Sequence, residues 1–417
     1  MQLVVTIFEN TPQRAIDAIR ALRGDHDAIE LRLDAFGGRP IDWNAVRAAT
    51  AKPVIATNRG GEPIEVDADL IDVEFGRAIP PGRRVILSHH DYEAMPDLER
   101  LVEEMHGAEQ VKIAVTPRSF ADNARLLALL EGRRNLSVIG MGGRGLYSRI
   151  LAPFFGSELQ FVSVDDAHSA APGQLTLEQA LATYGPDRKS LRAERIFAIV
   201  GNPAAHSGSP AIHNTVFRQR HIAAAYSIFE GDDFRDIAEP FARGERFAPV
   251  GLSVTAPFKE EALAFAESIG ADIRHNAREA GAVNTLVWIG GRMVADNTDV
   301  DGFQSLIAKT SARTAAVAGA GGTARAALVA LRRAGVDPTV FNRSAGKLNA
   351  RPLDQLASWR GDLLVNTLPL HVSIATPNAG TIIDAAYGGH SHADFTGLDL
   401  LRAQAVRQSE LFLEACQ

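Results

Sequence analysis

A chain of 417 residues, 46% hydrophobic and 22% charged, has ordinary globular proportions and length for two or three domains. Its formal charge of −7 gives no electrostatic reason to bind nucleic acid or an anionic membrane, and its single cysteine, Cys416, excludes an internal disulfide framework and a thiolate-rich metal centre. No apolar run approaches the roughly 18 residues needed to span a bilayer, and the start, Met1-Gln2-Leu3-Val4-Val5-Thr6-Ile7-Phe8-Glu9, reads as a first strand and not a signal peptide, so a cytoplasmic protein is expected.

In chain order, eight short apolar, β-branched runs come first, at 3–8, 28–33, 53–57, 70–75, 84–88, 110–115, 136–141 and 161–164. Several are separated by helix-like stretches, such as 12–22 and 121–130. Near-continuous apolar strands alternating with helices point to a parallel sheet covered by helices, and eight of them suggest a (β/α)8 barrel. Two gaps, 59–70 and 75–84, are short for parallel crossovers, which usually need a dozen residues or more. A pared-down barrel lacking one or two helices on one side, or an open barrel, is therefore expected over 1–183. The polar segment Tyr184-Gly185-Pro186-Asp187-Arg188-Lys189-Ser190 reads as a linker. An α/β unit follows at 195–298, expected to be completed by about 398–417, with a second, Rossmann-like unit at 299–397. No internal repeat or low-complexity tract is visible, and nothing in the sequence speaks to oligomeric state.

Barrel chemistry sits at the C-terminal ends of strands, so polar residues ending apolar runs are the candidates there. They are Glu30 and Arg32, Arg59, Ser88-His89-His90-Asp91, Lys112 within Val-Lys-Ile-Ala, and Met141 to Arg149. A buried lysine loses its charge readily and becomes a nucleophilic amine. The alternative for Lys112 is a lysine snorkelling at the barrel rim.

In the C-terminal half, the strand Ala315–Ala318 runs into Gly319-Ala320-Gly321-Gly322-Thr323-Ala324, with a helix expected over 323–334. This is the G-x-G-x-x-[GA] turn, whose glycines let a pyrophosphate approach the backbone at a helix N-terminus. The next strand ends in Asn342-Arg343-Ser344, where an NAD site would carry an acid for the ribose hydroxyl. An arginine there suits a 2′-phosphate, so NADP is the expected cofactor. Upstream lie Ser207-Gly208-Ser209-Pro210, Thr255-Ala256-Pro257-Phe258-Lys259, Gly281-Ala282-Val283-Asn284-Thr285 and Asp296-Asn297-Thr298-Asp299. Taken singly they read as a helix cap, a solvated lysine and turns; together they supply the hydroxyls, amides, lysine and carboxylate that a polyol carboxylate requires.

These segments resemble the shikimate dehydrogenase family over nearly all of 195–417. The resemblance implies that Ser207 and Ser209 hold the substrate carboxylate. It also implies that Lys259 and Asp299 face the reacting carbinol and that Thr255, Asn284 and Gln404 add contacts. It departs at Asn366-Thr367-Leu368-Pro369, at Tyr387-Gly388-Gly389 and at Leu400. The first roughly 180 residues resemble type I 3-dehydroquinate dehydratase. That likeness implies an imine on Lys112, proton transfer by His90, a carboxylate on Arg149, and Glu30, Arg32, Arg59 and Gln174 lining the site, with His89 only a neighbour. It departs at Ala170, where serine is usual, and at Glu62, one residue closer to Arg59 than the family spacing.

The expectation is a two-step enzyme taking 3-dehydroquinate through 3-dehydroshikimate to shikimate with NADPH, with small-molecule partners only, no nucleic acid, no membrane and no metal. Its rivals are a dehydrogenase carrying an inactive barrel, and a non-catalytic sensor of the same metabolites.

Overall fold

A computed structural model describes residues 1–60, 66–344, 346–372, 374, 377–386 and 393–417. Glu62 and Tyr387-Gly388-Gly389 lie outside the described residues. The chain divides into two compact units: Met1–Ile196 with Phe217–Gly231 and Glu245–Ala248, and Phe197–Val216 with Asp232–Gly244 and Pro249–Gln417.

All eight expected strands of the first unit form: β1 (Gln2–Ile7), β2 (Ala28–Arg32), β3 (Val54–Thr57), β4 (Leu70–Glu74), β5 (Val85–Asp91), β6 (Gln110–Val115), β7 (Leu136–Gly140) and β8 (Leu159–Ser163). They make one parallel sheet in the order β7-β6-β5-β4-β3-β2-β1-β8. The remaining seam, between β7 and β8, is bridged by Glu158, whose N–H donates to Leu136 O at 3.2 Å and whose Oε1 accepts from Asn135 N at 2.8 Å, and by two hydroxyls. Ser137 Oγ accepts from Leu159 N at 2.9 Å, and Ser157 Oγ accepts from Val138 N at 3.2 Å. The barrel is thus nearly closed.

Its helices are α1 (Pro12–Ala21), α2 (Trp43–Ala49), α3 (Leu98–Glu104), α4 (Phe120–Ala128), α5 (Leu146–Leu151) and α6 (Leu177–Tyr184). Proline at the start of α1 and the capping box of Thr176 and Gln179 on α6 fix two of the starts. Among the described residues no helix joins β3 to β4 or β4 to β5, the two gaps that the sequence marks as short. Ten residues, 75–84, suffice because β4 is only five residues long. An extended chain of that length reaches roughly 33 Å, about twice the length of such a strand. Arg83 closes this side by donating to the carbonyls of Val66 at 2.8 Å and Ala68 at 2.9 Å.

Alternation along the strands decides what faces inward. The interior cluster holds Val4, Ala28, Ile55, Ile86, Ala114 and Phe161, with Leu70 packed against it. Counting by twos from these puts Thr6, Glu30, Arg32, Thr57, Asp72, Glu74, Ser88, His90 and Lys112 on the same face. His89 has the opposite parity. The first unit is also discontinuous in sequence: Tyr147 on α5 is fully buried, its O–H donates to Phe247 O at 2.6 Å, and its ring meets Phe229 edge-on at 5.9 Å.

In the second unit, strand Arg195–Gly201 pairs parallel with Gly251–Val254. That strand pairs antiparallel with Thr285–Ile289, which pairs antiparallel with Arg292–Asp296; Asp272–Ile273 lies parallel at the edge. A second sheet is wholly parallel, in the order Arg351–Pro352, Pro338–Asn342, Ala315–Ala318, Arg360–Asn366, Asn378–Asp384. This is the doubly wound, Rossmann-like arrangement. Its direction of winding reverses between Ala315–Ala318 and Arg360–Asn366, and such a switch point opens a crevice at the strand ends. Helix Gly397–Glu414, begun by the Thr396–Asp399 capping box, returns from this lobe to bring Gln404 and Gln408 back to the first sheet. Among the described residues no helix is long and apolar enough to cross a membrane, and no group of side chains is arranged to hold a metal ion.

Candidate functional sites

Five ionisable residues of the barrel form one chain of contacts: Lys112, Asp72, Arg59, Glu74 and His90. Lys112, 3% exposed, donates from Nζ to Asp72 Oδ2. Arg59 Nη1 lies 2.8 Å from Asp72 Oδ1 and 2.9 Å from Glu74 Oε2. Glu74 in turn accepts from the His90 backbone N–H at 2.9 Å and meets His90 Nδ1 at 2.8 Å. The snorkelling alternative is thereby removed, because the lysine lies inside the barrel with an acid on its amine and the Phe161 ring 4.3 Å away.

Burial pushes the Lys112 amine below its ordinary value, with Asp72 opposing and Arg59 adding to the shift. Burial alone would raise Asp72, but Lys112 and Arg59 outweigh it and hold that carboxyl well below the usual range. His90 is also pushed down by burial, against its bond to Glu74, which favours a neutral imidazole able to accept a proton.

Glu30 accepts from Thr6 Oγ1 and Thr57 Oγ1, each at 2.7 Å, and Gln174 Nε2 donates to Thr6 Oγ1 at 3.2 Å. Arg32 pairs with Asp34 through two bonds, at 3.0 and 2.8 Å. Arg149 enters from α5 and is 2% exposed. Gly145 makes the tight entry possible: a Cβ there would lie 2.4 Å from Gly140 C. Arg149 donates to Pro172 O at 3.2 Å, while its Nε has no partner and no acid pairs with it among the described residues. Burial lowers it to about 10. A buried guanidinium with no counter-charge is a ready seat for a carboxylate. Ser88 Oγ, register-paired with Lys112, is likewise buried without a partner. Ser169, next to Ala170, turns its hydroxyl back to Ala171 O at 2.9 Å.

In the second unit a cavity of about 90 Å³ is lined by Ser209, Thr255, Lys259, Asn284, Asp299 and Gln404, all expected, together with Thr323 and Gln408. Ser207 Oγ donates to Ser209 Oγ at 3.1 Å. Lys259 Nζ donates to Asp299 Oδ2 at 2.5 Å and to Thr323 Oγ1 at 2.9 Å. Asn284 Nδ2 donates to Asp299 Oδ1 at 2.9 Å and its Oδ1 accepts from Thr298 N at 2.8 Å, while Thr298 Oγ1 donates to Gln404 Oε1 at 2.8 Å. The carboxylate is therefore held from one side by an amide and from the other by the lysine.

The glycine turn fits a dinucleotide. Gly319 has φ +112, and a Cβ there would lie 2.3 Å from Thr367 Oγ1 at the switch point. Gly321 faces open space, and the N-terminus of helix Gly322–Arg333 stands behind it. Gly322 has a further reason to be glycine: a Cβ there would lie 2.7 Å from Lys259 Cβ. Asn342 Nδ2 donates to Ser344 O at 3.3 Å, and Arg343 is exposed with no partner among the described residues.

Asp72, Glu74, Thr323 and Gln408 escaped the sequence reading. Asp72 and Glu74 carried a signal, since Leu-Ile-Asp-Val-Glu places two acids on one face of an apolar strand, as Val-Lys-Ile-Ala does a lysine. Thr323 sits inside the glycine motif, which hides it, and Gln408 is positioned only by tertiary packing.

The fold and the two sites define a class: an α/β barrel with an interior lysine, joined in one chain to a two-lobed unit with a dinucleotide-type turn. Residues 61–189 match the family model for type I 3-dehydroquinase, and residues 199–286 match that for the shikimate dehydrogenase substrate binding domain. Among curated proteins the chain is similar to the chloroplastic bifunctional 3-dehydroquinate dehydratase/shikimate dehydrogenase of Arabidopsis thaliana, 32% identical over 81% of this chain and 64% of that protein. It is also similar to the pentafunctional AROM polypeptide of Yarrowia lipolytica, 31% identical over 77% of this chain and 21% of that protein. The chain thus spans under two thirds of the plant relative and about a fifth of the fungal one. Among solved structures it matches dehydroquinate dehydratase and shikimate dehydrogenase from S. pombe AroM, with TM-score 0.39 and 22% identity over 100% of this chain and 98% of that one. It also matches shikimate 5-dehydrogenase from Thermus thermophilus in complex with NADP(H) and shikimate, with TM-score 0.44 and 27% identity over 52% of this chain and 93% of that one.

Proposed function

We propose that the chain carries out two consecutive reactions, dehydration of 3-dehydroquinate to 3-dehydroshikimate in the barrel and NADPH-dependent reduction of that ketone to shikimate in the second unit. The observation that carries this reading is the presence in one chain of a buried lysine close to an acid-linked histidine and, separately, of a lysine–aspartate pair lining a polar cavity. Both family matches fall on the corresponding halves.

In the barrel, Arg149 receives the substrate carboxylate. The Lys112 amine, neutral for part of the time because burial disfavours its charge, attacks the ketone carbon, and water leaves as the imine forms. The imine withdraws electrons from the neighbouring carbon, whose proton passes to His90. His90 then returns that proton to the departing hydroxyl, and hydrolysis of the imine frees the product and Lys112. Glu74 keeps the imidazole oriented throughout.

In the second unit, Ser207 and Ser209 hold the carboxylate, and Lys259 delivers a proton to the oxygen on which negative charge develops. Asp299 aims the lysine and stabilises its charge. The dinucleotide supplies the hydride when bound. Gly319, Gly321 and Gly322 would carry its pyrophosphate, and Asn342, Arg343 and Ser344 the phosphorylated ribose, which supports NADP over NAD.

Ala170 and the bond that ties the Ser169 hydroxyl to Ala171 O favour a second reading, a silent barrel on a working dehydrogenase. Incubation of purified protein with 3-dehydroquinate and NADPH distinguishes them. Shikimate accumulates on the two-step reading; Lys112→Ala stops the first step alone and Lys259→Ala the second. Failure with 3-dehydroquinate alongside success with 3-dehydroshikimate leaves only the dehydrogenase.

A further inference from the structure

Lys259 Nζ has a partner that its role as proton donor does not by itself require, the Thr323 hydroxyl at 2.9 Å. Thr323 is the second residue of helix Gly322–Arg333, directly behind the glycine turn, and it lines the same cavity as Lys259 and Asp299. The lysine stem lies flat against this turn, since a Cβ on Gly322 would stand 2.7 Å from Lys259 Cβ and 3.0 Å from its Cδ. An ammonium at this place faces the positive end of a helix, which repels it. Asp299 supplies the opposing charge, but a carboxylate alone does not fix direction; a second acceptor does. The hydroxyl of Thr323 is that acceptor, fixed to the helix by its short side chain.

We propose that Thr323 is a positioning residue for Lys259, holding its ammonium towards the cavity. Because it stands on the turn that would receive the dinucleotide pyrophosphate, it links the aim of the lysine to the occupancy of that turn. This rests on the dehydrogenase reading above. The hydroxyl accepts one hydrogen bond from Nζ and keeps its own proton for a further acceptor, so no covalent bond is made or broken in this role.

Thr323→Val removes the hydroxyl and keeps the shape, Thr323→Ser keeps the hydroxyl, and Thr323→Ala serves if the valine variant does not fold. Two readouts decide. In shikimate oxidation with NADP, the valine variant loses roughly tenfold or more in kcat while the cofactor KM stays within about threefold, and serine restores the rate. In the cofactor-free protein, acetylation of Lys259 by an N-hydroxysuccinimide ester, read by peptide mass spectrometry, becomes several-fold faster in the valine or alanine variant and not in the serine variant. A loss confined to cofactor KM, or Lys259 acetylation unchanged in every variant, overturns the proposal. If wild-type protein does not oxidise shikimate, the dehydrogenase reading fails, while the acetylation comparison still decides the Thr323–Lys259 contact.

Discussion

Lys112 on β6 reaches past β5 to bond Asp72 on β4, and both side chains are buried inside the barrel. A buried ion pair contributes little net stability, yet removing one partner leaves a charge stranded in a dry interior, at a cost of roughly 3–5 kcal/mol. Asp72→Asn is therefore expected to destabilise the barrel by that order at neutral pH. Lys112→Met costs less, because Asp72 keeps Arg59 as a partner. Urea unfolding of the two variants checks the asymmetry; equal and small losses contradict the pairing.

His213 gives the second unit an acid limit. It is fully buried between Gln408 Oε1 at 3.2 Å and Ser409 Oγ at 3.1 Å, and burial lowers it to about 4. The folded state therefore holds the neutral ring. Its contribution is complete above the unfolded value near 6.5 and is lost as pH falls towards about 4. A difference of about 2.5 units corresponds to about 3 kcal/mol. The stability of the wild-type second unit should fall across this window, and His213→Gln should flatten the slope. A variant with the wild-type slope would assign the acid sensitivity to other groups.

Arg343 stands exposed at the end of its strand without a partner among the described residues. Arg343→Ala is expected to weaken NADPH binding by about tenfold or more and NADH binding by little, since a bidentate phosphate contact contributes roughly 1.5–3 kcal/mol. Fluorescence titration with each cofactor measures both constants; equal losses remove the 2′-phosphate assignment.

Gly322→Ala would push a methyl into the stem of Lys259. Turnover should fall by roughly tenfold through displacement of the lysine, beyond any change in cofactor affinity. Normal kcat in this variant would mean that the turn yields without moving Lys259.

Much of the fold was legible in the sequence. The eight barrel strands were found because each is a short β-branched run bounded by turn residues, and even the two missing crossover helices were visible as short gaps. The alternation of Glu30 with Arg32, and the lone lysine in Val-Lys-Ile-Ala, marked interior polar positions. Which interior residues meet was not legible. The Lys112–Asp72 bond spans forty positions and depends on strand order and register. Thr298 to Gln404 depends on a returning helix whose polar residues look solvent-facing in a linear reading. Thr323 was masked by the motif around it, because glycines draw attention to a phosphate and not to the lysine on the other side.

The most direct test of the account is covalent. Borohydride added with 3-dehydroquinate should reduce an imine and leave a stable adduct, and peptide mass spectrometry should place it on Lys112, with none in Lys112→Ala. Its absence from wild-type protein that still reduces 3-dehydroshikimate, or its appearance on another lysine, would contradict the assignment of Lys112 as the barrel's nucleophile.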